Sequence, residues 1–249
     1  GWGLAFFQGG EVLLQRHPKP VEAPFDFYAA IQDLRTDYII GHVREPGVEA
    51  KLENTQPYRF RSWVFAHSGT VGRFEAIQAG IVEHIPDFLR RNVRSQMGSE
   101  HVFHLFLAFL HDAGKLDDPT ITLADAENAL RATIAMINRL VASAGAEPGC
   151  MNTIATNGRL LLATRQGRPV WLRRTEGIND CSICRAHDLA GAAASASDRH
   201  RYNHEHLKSI LIVSDPDRLG SDGWEEAPEG SVVGVNRDLA VSIHPLRIA

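Results

Sequence analysis

The segment WVFAHSGTV at residues 63–71 ends a hydrophobic run on a small polar residue and a glycine, Ser68 and Gly69. The apolar run predicts a buried β-strand that leads directly into a tight turn. Short polar side chains and bare backbone N–H groups at such strand ends can be presented to a substrate. A simple β-turn is the alternative, because serine and glycine are both common turn residues. The rest of the sequence must decide between a catalytic and a structural role.

A second pattern combines cysteine and histidine residues in the C-terminal part of the chain. Cys181, Cys184, His200 and His204 are spaced as C-x2-C-x15-H-x3-H, which is within the range of zinc sites. The intervening loop lacks the hydrophobic residues of a zinc finger. We therefore expect reduced cysteines here, with no metal ion and no cofactor, and keep structural zinc as the alternative.

Composition excludes several classes of function. The 249 residues carry 26 Lys and Arg against 30 Asp and Glu, a net charge of -4, which gives no electrostatic case for nucleic acid or an anionic membrane as partner. No apolar run approaches the roughly 20 residues that a membrane-spanning helix requires. Three cysteines, an odd number, argue against a disulfide scaffold. We therefore expect a cytoplasmic protein with a single domain over residues 1–249.

Hydrophobic periodicity predicts the elements that must position these residues. Strands are expected on both sides of a Gly9-Gly10 turn, over 37–44 and through 63–69. Helices are expected over 23–34, over 73–93 with a break near Pro86, over 99–114 and over 122–145. Strands with Asn-Gly and Gly-Arg turns then follow, with a buried strand over 209–216 and a closing hairpin. This order predicts an α+β layered fold and not a doubly wound sheet.

Several short segments, taken in order, resemble the class II glutamine amidotransferase domain, an N-terminal-nucleophile (Ntn) hydrolase. They are GWG at the start, GHVR at 41–44, ENTQPY at 53–58, WVFAHSG at 63–69 and MGSEHVFHLFL at 97–107, followed by GWEEAPEGSVVGV. The resemblance covers nearly the whole chain and points to the small stand-alone bacterial members. It implies a four-layer αββα sandwich that hydrolyses a glutamine-type side-chain amide with a cysteine at the mature N-terminus.

The resemblance also implies roles for individual residues. Arg44 would hold the substrate α-carboxylate with its guanidinium fork, a geometry that lysine cannot copy. Ser68 and Gly69 would form the oxyanion hole, with the Gly69 N–H retained and Ser68 in place of the family's asparagine. The Ser68 hydroxyl is one bond closer to the backbone than an asparagine amide, and a donor that no longer reaches costs roughly 10²–10³-fold in rate.

The resemblance implies that Gly98 and Ser99 are substrate-binding positions, and Gly98 stands where the family has an aspartate that binds the ammonium group of free glutamine. Because Arg44 is kept and this anchor is lost, we expect poor recognition of free glutamine. A substrate with a carboxylate but a blocked or absent amine, such as an acylated or peptide-linked glutamyl compound, fits better.

The nucleophilic cysteine is expected upstream of Gly1, in a domain that is incomplete at its N-terminus. None of Cys150, Cys181 and Cys184 can supply the adjacent α-amine that serves as the base. The alternative is a non-catalytic relative that keeps the Ntn fold as a binding or scaffold module. The resemblance leaves open a synthetase or acceptor subunit and a homo-oligomer.

Overall fold

The computed structural model describes residues 1–18, 31, 34–44, 50–177, 207–214 and 222–246. These residues belong to two compact units, one made of Gly1–Arg168 with Pro228–Ala249 and the other of Pro169–Ala227. The expectation of a single domain that is incomplete at its N-terminus stays a prediction.

The described residues form short strands and four α-helices. The strands are β1 (Trp2–Gln8), β2 (Glu11–His17), β3 (Ile39–Val43), β4 (Tyr58–Phe60), β5 (Trp63–Gly69), β6 (Met151–Thr156), β7 (Leu161–Arg165), β8 (Trp171–Glu176), β9 (Lys208–Val213), β10 (Glu225–Glu226), β11 (Ser231–Val235) and β12 (Val241–Pro245). The helices are α1 (Phe74–Glu83), α2 (Asp87–Arg90), α3 (Gly98–Asp112) and α4 (Leu123–Ser143), and a short 3-10 helix spans Leu52–Asn54.

Two antiparallel sheets build the first unit. The small sheet has the order β2-β1-β3, and the large sheet has the order β12-β11-β7-β6-β5-β4. Side chains alternate along β5, because successive residues of a strand point to opposite faces. Trp63 and Phe65 pack on the helices within the main core, and Val64 and Ala66 pack on the small sheet. The layers therefore follow in the order helices, large sheet, small sheet.

The predicted fold class, α+β with the sandwich of the Ntn hydrolases, is confirmed. The described part of the first unit supplies three of the four expected layers. The helix predicted over 23–34 lies almost entirely outside the described residues. The break near Pro86 is confirmed, since α1 ends at Glu83 and α2 begins at Asp87.

The two long helices begin by different means. Thr122 caps α4 in a capping box, in which its hydroxyl accepts from the Asp125 N–H and the Asp125 side chain accepts from the Thr122 N–H. The helix predicted over 99–114 is confirmed as α3, which begins at Gly98 without a side-chain cap and ends at Asp112. The Ser99 hydroxyl is instead bonded to His67.

In the second unit, β8 lies between β10 and β9 and pairs with both in the antiparallel sense. The Arg173 guanidinium lies 4.6 Å from the centroid of the Trp224 ring. The predicted zinc pattern, Cys181, Cys184, His200 and His204, lies outside the described residues. Throughout the described ranges, each helix is too short or too polar to cross a bilayer.

Candidate active site

The ends of β3 and β5 direct the predicted catalytic side chains into the gap between the two sheets. On β5, Ser68 follows Val64 and Ala66 at two-residue spacing and so shares their face toward the small sheet. On β3, Ile40 packs against the same two residues, and Arg44 follows Ile40 by four positions on the same face. The ladder continues past β3, because Arg44 N–H donates to the Gly1 carbonyl at 2.8 Å. Arg44 and Ser68 therefore face one gap.

The loop that contains Asn54 holds the Arg44 side chain. Arg44 Nη1 donates to the Asn54 carbonyl oxygen at 3.4 Å. Asn54 is 3% exposed, and its side-chain oxygen accepts from the Ser95 hydroxyl at 2.7 Å. A guanidinium has five N–H donors, and the Asn54 carbonyl is the one acceptor for the Arg44 side chain among the described residues, so the fork keeps donors for a carboxylate.

Gln56 attaches the same loop to β5. Its Nε2 donates to the His67 carbonyl at 3.0 Å, and its Oε1 accepts from the His67 N–H at 2.6 Å. The Gln56 side-chain amide therefore makes the two hydrogen bonds that the backbone of a neighbouring β-strand residue would make. A Cβ atom on Gly3 would overlap the Gln56 carbonyl oxygen, so the loop can pass only because residue 3 is glycine. Sequence reasoning gave no role to His67 or to this contact.

His67 lies on the other face of β5, among the helices. Its Nε2 is 3.0 Å from the Cys150 carbonyl and its Nδ1 is 2.9 Å from the Ser99 hydroxyl. Burial lowers the pKa of His67, so the ring is neutral near pH 7. A carbonyl only accepts, so Nε2 carries the proton and Nδ1 accepts from Ser99. The Ser99 hydroxyl therefore donates within the protein.

His42 follows Ile40 by two positions on β3, and its ring is hydrogen-bonded to the backbone of His67. Burial lowers the pKa of His42 to about 4, and the nearby His67 and Arg44 act in the same direction. A hydrogen bond to the His67 backbone partly opposes this shift. His42 is therefore uncharged near pH 7, so Arg44 is the cation of the pair formed by His42 and Arg44. The alternation of β3 was the sequence signal that could have placed His42 beside Arg44.

The conformation of Gly69 excludes any other residue. Its φ is +152°, and a Cβ atom would overlap the Cys150 carbonyl oxygen on the neighbouring strand. Gly69 pairs with Met151 and Ser68 pairs with Asn152, so the tip of β5 is held against β6. The Cys150 thiol lies 3.4 Å from the Ser68 carbonyl oxygen. The strand end is thus rigid on the β6 side.

Apolar side chains fill the space around Gly98. A Cβ atom at this position would lie 2.9 Å from Val71 Cγ2 and 3.0 Å from Phe74 Cδ2, closer than ordinary contacts. Gly98 and Ser99 are at the helix side of β5, whereas Arg44 and Ser68 face the small sheet. A substrate could therefore contact both the Gly98–Ser99 pair and the Arg44–Ser68 pair only beyond the end of β5, past Gly69. The substrate-binding roles of Gly98 and Ser99 stay predictions.

Among the residues that the structure describes, no group of three or more His, Cys, Asp and Glu side chains is placed to hold a metal ion. The His101 imidazole accepts from the Gln78 amide and donates to the Met97 carbonyl, which makes it a structural residue of α3.

Comparison with known proteins gives matches of three kinds. A family model described as "Glutamine amidotransferases class-II" matches residues 1–241. Two curated relatives, from two strains of Mycobacterium tuberculosis, are named γ-glutamyl-hercynylcysteine sulfoxide hydrolase. Each is 24% identical over 181 residues, which is 72% of this chain. This chain spans 64% of the length of these relatives.

Solved structures share the fold. A glutamine aminotransferase class-II domain protein from Silicibacter pomeroyi has a TM-score of 0.66 and 20% identity, over 98% of this chain and 91% of its own. A predicted glutamine amidotransferase from Pseudomonas aeruginosa has a TM-score of 0.61 and 18% identity, over 95% and 84% of the two chains. Glutamine phosphoribosylpyrophosphate amidotransferase from B. subtilis has a TM-score of 0.53 and 13% identity, over 100% and 43%.

Proposed function

The chain belongs to the class II glutamine amidotransferase family, and from this premise we propose that it hydrolyses the side-chain amide of a glutamyl compound other than free glutamine. One observation carries the substrate class: Val71 and Phe74 fill the space around Gly98, where the family's ammonium anchor would stand, while Arg44 is kept. The proposed substrate therefore has a carboxylate for Arg44 and an α-amine that is blocked or peptide-linked.

The proposed reaction follows the Ntn-hydrolase pattern. The nucleophile is an N-terminal cysteine outside residues 1–249, whose α-amine removes the thiol proton. The thiolate attacks the amide carbon, and the oxyanion accepts from the Gly69 N–H and the Ser68 hydroxyl. Collapse expels the amine with a proton, and water then hydrolyses the thioester. Arg44 holds the far carboxylate so that the amide reaches the strand end.

The names of the curated relatives support a glutamyl substrate that is not free glutamine. They describe hydrolases of γ-glutamyl-hercynylcysteine sulfoxide. We propose that this chain acts on γ-glutamyl amides whose α-amine is acylated or peptide-linked, without assigning the group on the amide nitrogen.

Kinetics of the complete protein test the proposal. Intact mass first establishes an N-terminal cysteine, and kcat/KM is then measured for L-glutamine, N-acetyl-L-glutamine and a γ-glutamyl dipeptide. We expect N-acetyl-L-glutamine, whose α-amine is blocked, to exceed free glutamine by about tenfold or more, because free glutamine leaves an ammonium group without its charge-assisted hydrogen bond. The γ-glutamyl dipeptide keeps a free α-amine and should gain nothing over glutamine from the missing anchor. Equal or better turnover of free glutamine contradicts the proposal.

An arginine variant with a matched control isolates the carboxylate anchor. Arg44→Lys removes the fork while keeping the charge, and we expect KM to rise by about tenfold or more. Arg61→Lys is the control, because Arg61 is exposed and paired with Asp117. Absence of turnover from protein with a verified N-terminal cysteine would favour the alternative, a non-catalytic binding module.

A further inference from the structure

A cavity of about 750 Å³ opens in the first unit at the end away from Arg44 and Ser68. It lies where β1 ends at Gln8, where β6 turns into β7 and where β11 turns into β12. Arg44 pairs with Gly1 at the other end of β1. A seven-residue strand spans roughly 20 Å, so a ligand here would not compete with an amide substrate.

Hydrogen bonds between separate segments build the walls of this cavity. The Tyr38 hydroxyl donates to the Arg159 carbonyl at 2.9 Å, and Thr36 Oγ1 accepts from the Phe7 N–H at 3.1 Å. Phe7 and Tyr38 meet edge to face with their centroids 6.2 Å apart. At Gly158, φ is +78° and a Cβ atom would lie 2.6 Å from the Phe7 ring. The cavity is therefore held in shape by specific packing.

The charge of the cavity is positive. Arg35, Arg159 and Arg237 line it against one acid, Asp37. Within the described part of the chain, the guanidinium groups of Arg35 and Arg237 make no hydrogen bond or ion pair with the protein. Arg159 gives one N–H to the Pro119 carbonyl and keeps its other donors. Among the described residues, no acid forms an ion pair with these three arginines, so their remaining N–H donors are available to an anion.

In a second cavity, of about 600 Å³, two of the three arginines, Arg16 and Arg59, are committed, and the third is Arg94. There Arg16 donates to the Thr55 carbonyl at 3.1 Å, and Arg59 donates to the Val12 carbonyl and lies 3.7 Å from Glu11. That cavity also contains Glu53 and Glu100. Among the described residues, the 750 Å³ cavity therefore has more arginines without a side-chain partner, and fewer acids, than the 600 Å³ cavity.

We propose that this cavity binds a small phosphorylated ligand through Arg35, Arg159 and Arg237. A guanidinium fork matches two phosphate oxygens, and arginine is the preferred side chain for such bidentate contacts. The volume is within the range of small-molecule sites and holds more than one phosphate group. The ligand is a free oligophosphate or the phosphate chain of a nucleotide, which share this chemistry.

Calorimetric titration of the full 249-residue chain at low ionic strength tests the proposal, with sodium pyrophosphate, ATP and adenosine as probes. We expect pyrophosphate or ATP to bind with an affinity that weakens as salt is added, and adenosine not to bind. Binding of both phosphates assigns the site to oligophosphates, and binding of ATP alone assigns it to nucleotides. Adenosine binding as tightly as ATP overturns the phosphate assignment, as does failure of both phosphates to bind.

Charge-matched variants assign the site. Arg35→Ala with Arg237→Ala should weaken binding about tenfold or more, and both residues are exposed and unbonded, so the fold is kept. Arg139→Ala with Arg174→Ala removes the same charge from exposed positions outside the cavity. An equal loss in the control pair, or unchanged binding in the first pair, overturns the proposal.

Discussion

Because side chains fill the space around Gly98, we can predict which substitutions would make free glutamine a substrate. A Cβ atom at residue 98 would be about 0.6 Å inside the optimal carbon–carbon separation near 3.5 Å from Val71 Cγ2, and it would also press on Phe74. Gly98→Asp alone should therefore lower the free energy of unfolding by about 1–3 kcal/mol through overpacking. It should not improve turnover of free glutamine, because the carboxylate cannot settle where the family's aspartate stands.

Removing Val71 should supply the missing room. Val71 is 6% exposed, so Val71→Ala loses two buried methyl groups at a cost of about 2 kcal/mol. In the Gly98→Asp, Val71→Ala double variant, the carboxylate can accept from the substrate ammonium, a charge-assisted bond of about 1.5–3 kcal/mol. That energy corresponds to a fall of about 10–100-fold in KM for free glutamine.

Steady-state kinetics on the complete protein, combined with urea unfolding, measure both effects. The matched control is Gly98→Asn with Val71→Ala, which has the same shape without the charge, and it should leave KM for free glutamine high. The reasoning is refuted if Gly98→Asp alone keeps full stability and gains glutamine turnover. It is also refuted if the charged and uncharged double variants have the same KM for glutamine.

Three further predictions concern Gly69 at the end of β5 and two residues that contact the backbone of β5, Gln56 and His42. Gly69→Ala should lower the free energy of unfolding by about 2–4 kcal/mol in urea titrations, because the added Cβ meets the Cys150 carbonyl at a strained φ. Gln56→Leu should cost about 2–3 kcal/mol by the same measurement, since it removes two hydrogen bonds to the buried backbone of His67. Burial lowers the pKa of His42 to about 4, so the unfolded chain binds a proton at this residue before the folded protein does. The free energy of unfolding should therefore be highest above about pH 6.5 and fall as the pH approaches 4. His42→Gln should reduce this fall by up to about 3 kcal/mol.

Each of these predictions has a control. Ser68→Ala adds no atom at the strand tip and should change stability by less than about 1 kcal/mol; a loss as large as that of Gly69→Ala would contradict the steric account. Gln56→Glu keeps one acceptor for the His67 N–H and should cost less than Gln56→Leu. A wild-type stability curve that is flat between pH 6.5 and 4 would show that His42 is not held neutral.

The sequence alone determined most of the local structure and the family. The apolar run that ends at Ser68 and Gly69 predicted β5, the hydrophobic periodicity over 122–145 predicted α4, and Pro86 predicted the break between α1 and α2. These signals succeed because the period of a strand or helix and the chemistry of a cap involve residues within a few positions of each other. The ordered motifs from GHVR to MGSE resemble the class II glutamine amidotransferase domain, and the family model that matches residues 1–241 confirms the family.

Only the tertiary structure decided what surrounds each of these residues. His67 meets Ser99 over a separation of 32 residues and Cys150 over 83, so no local pattern reports those bonds. Packing likewise brought Val71 and Phe74 over Gly98, and joined four segments around the arginine-lined cavity. Local propensity fixes the direction of a side chain on its own element, whereas the atoms it meets depend on how distant elements pack against each other.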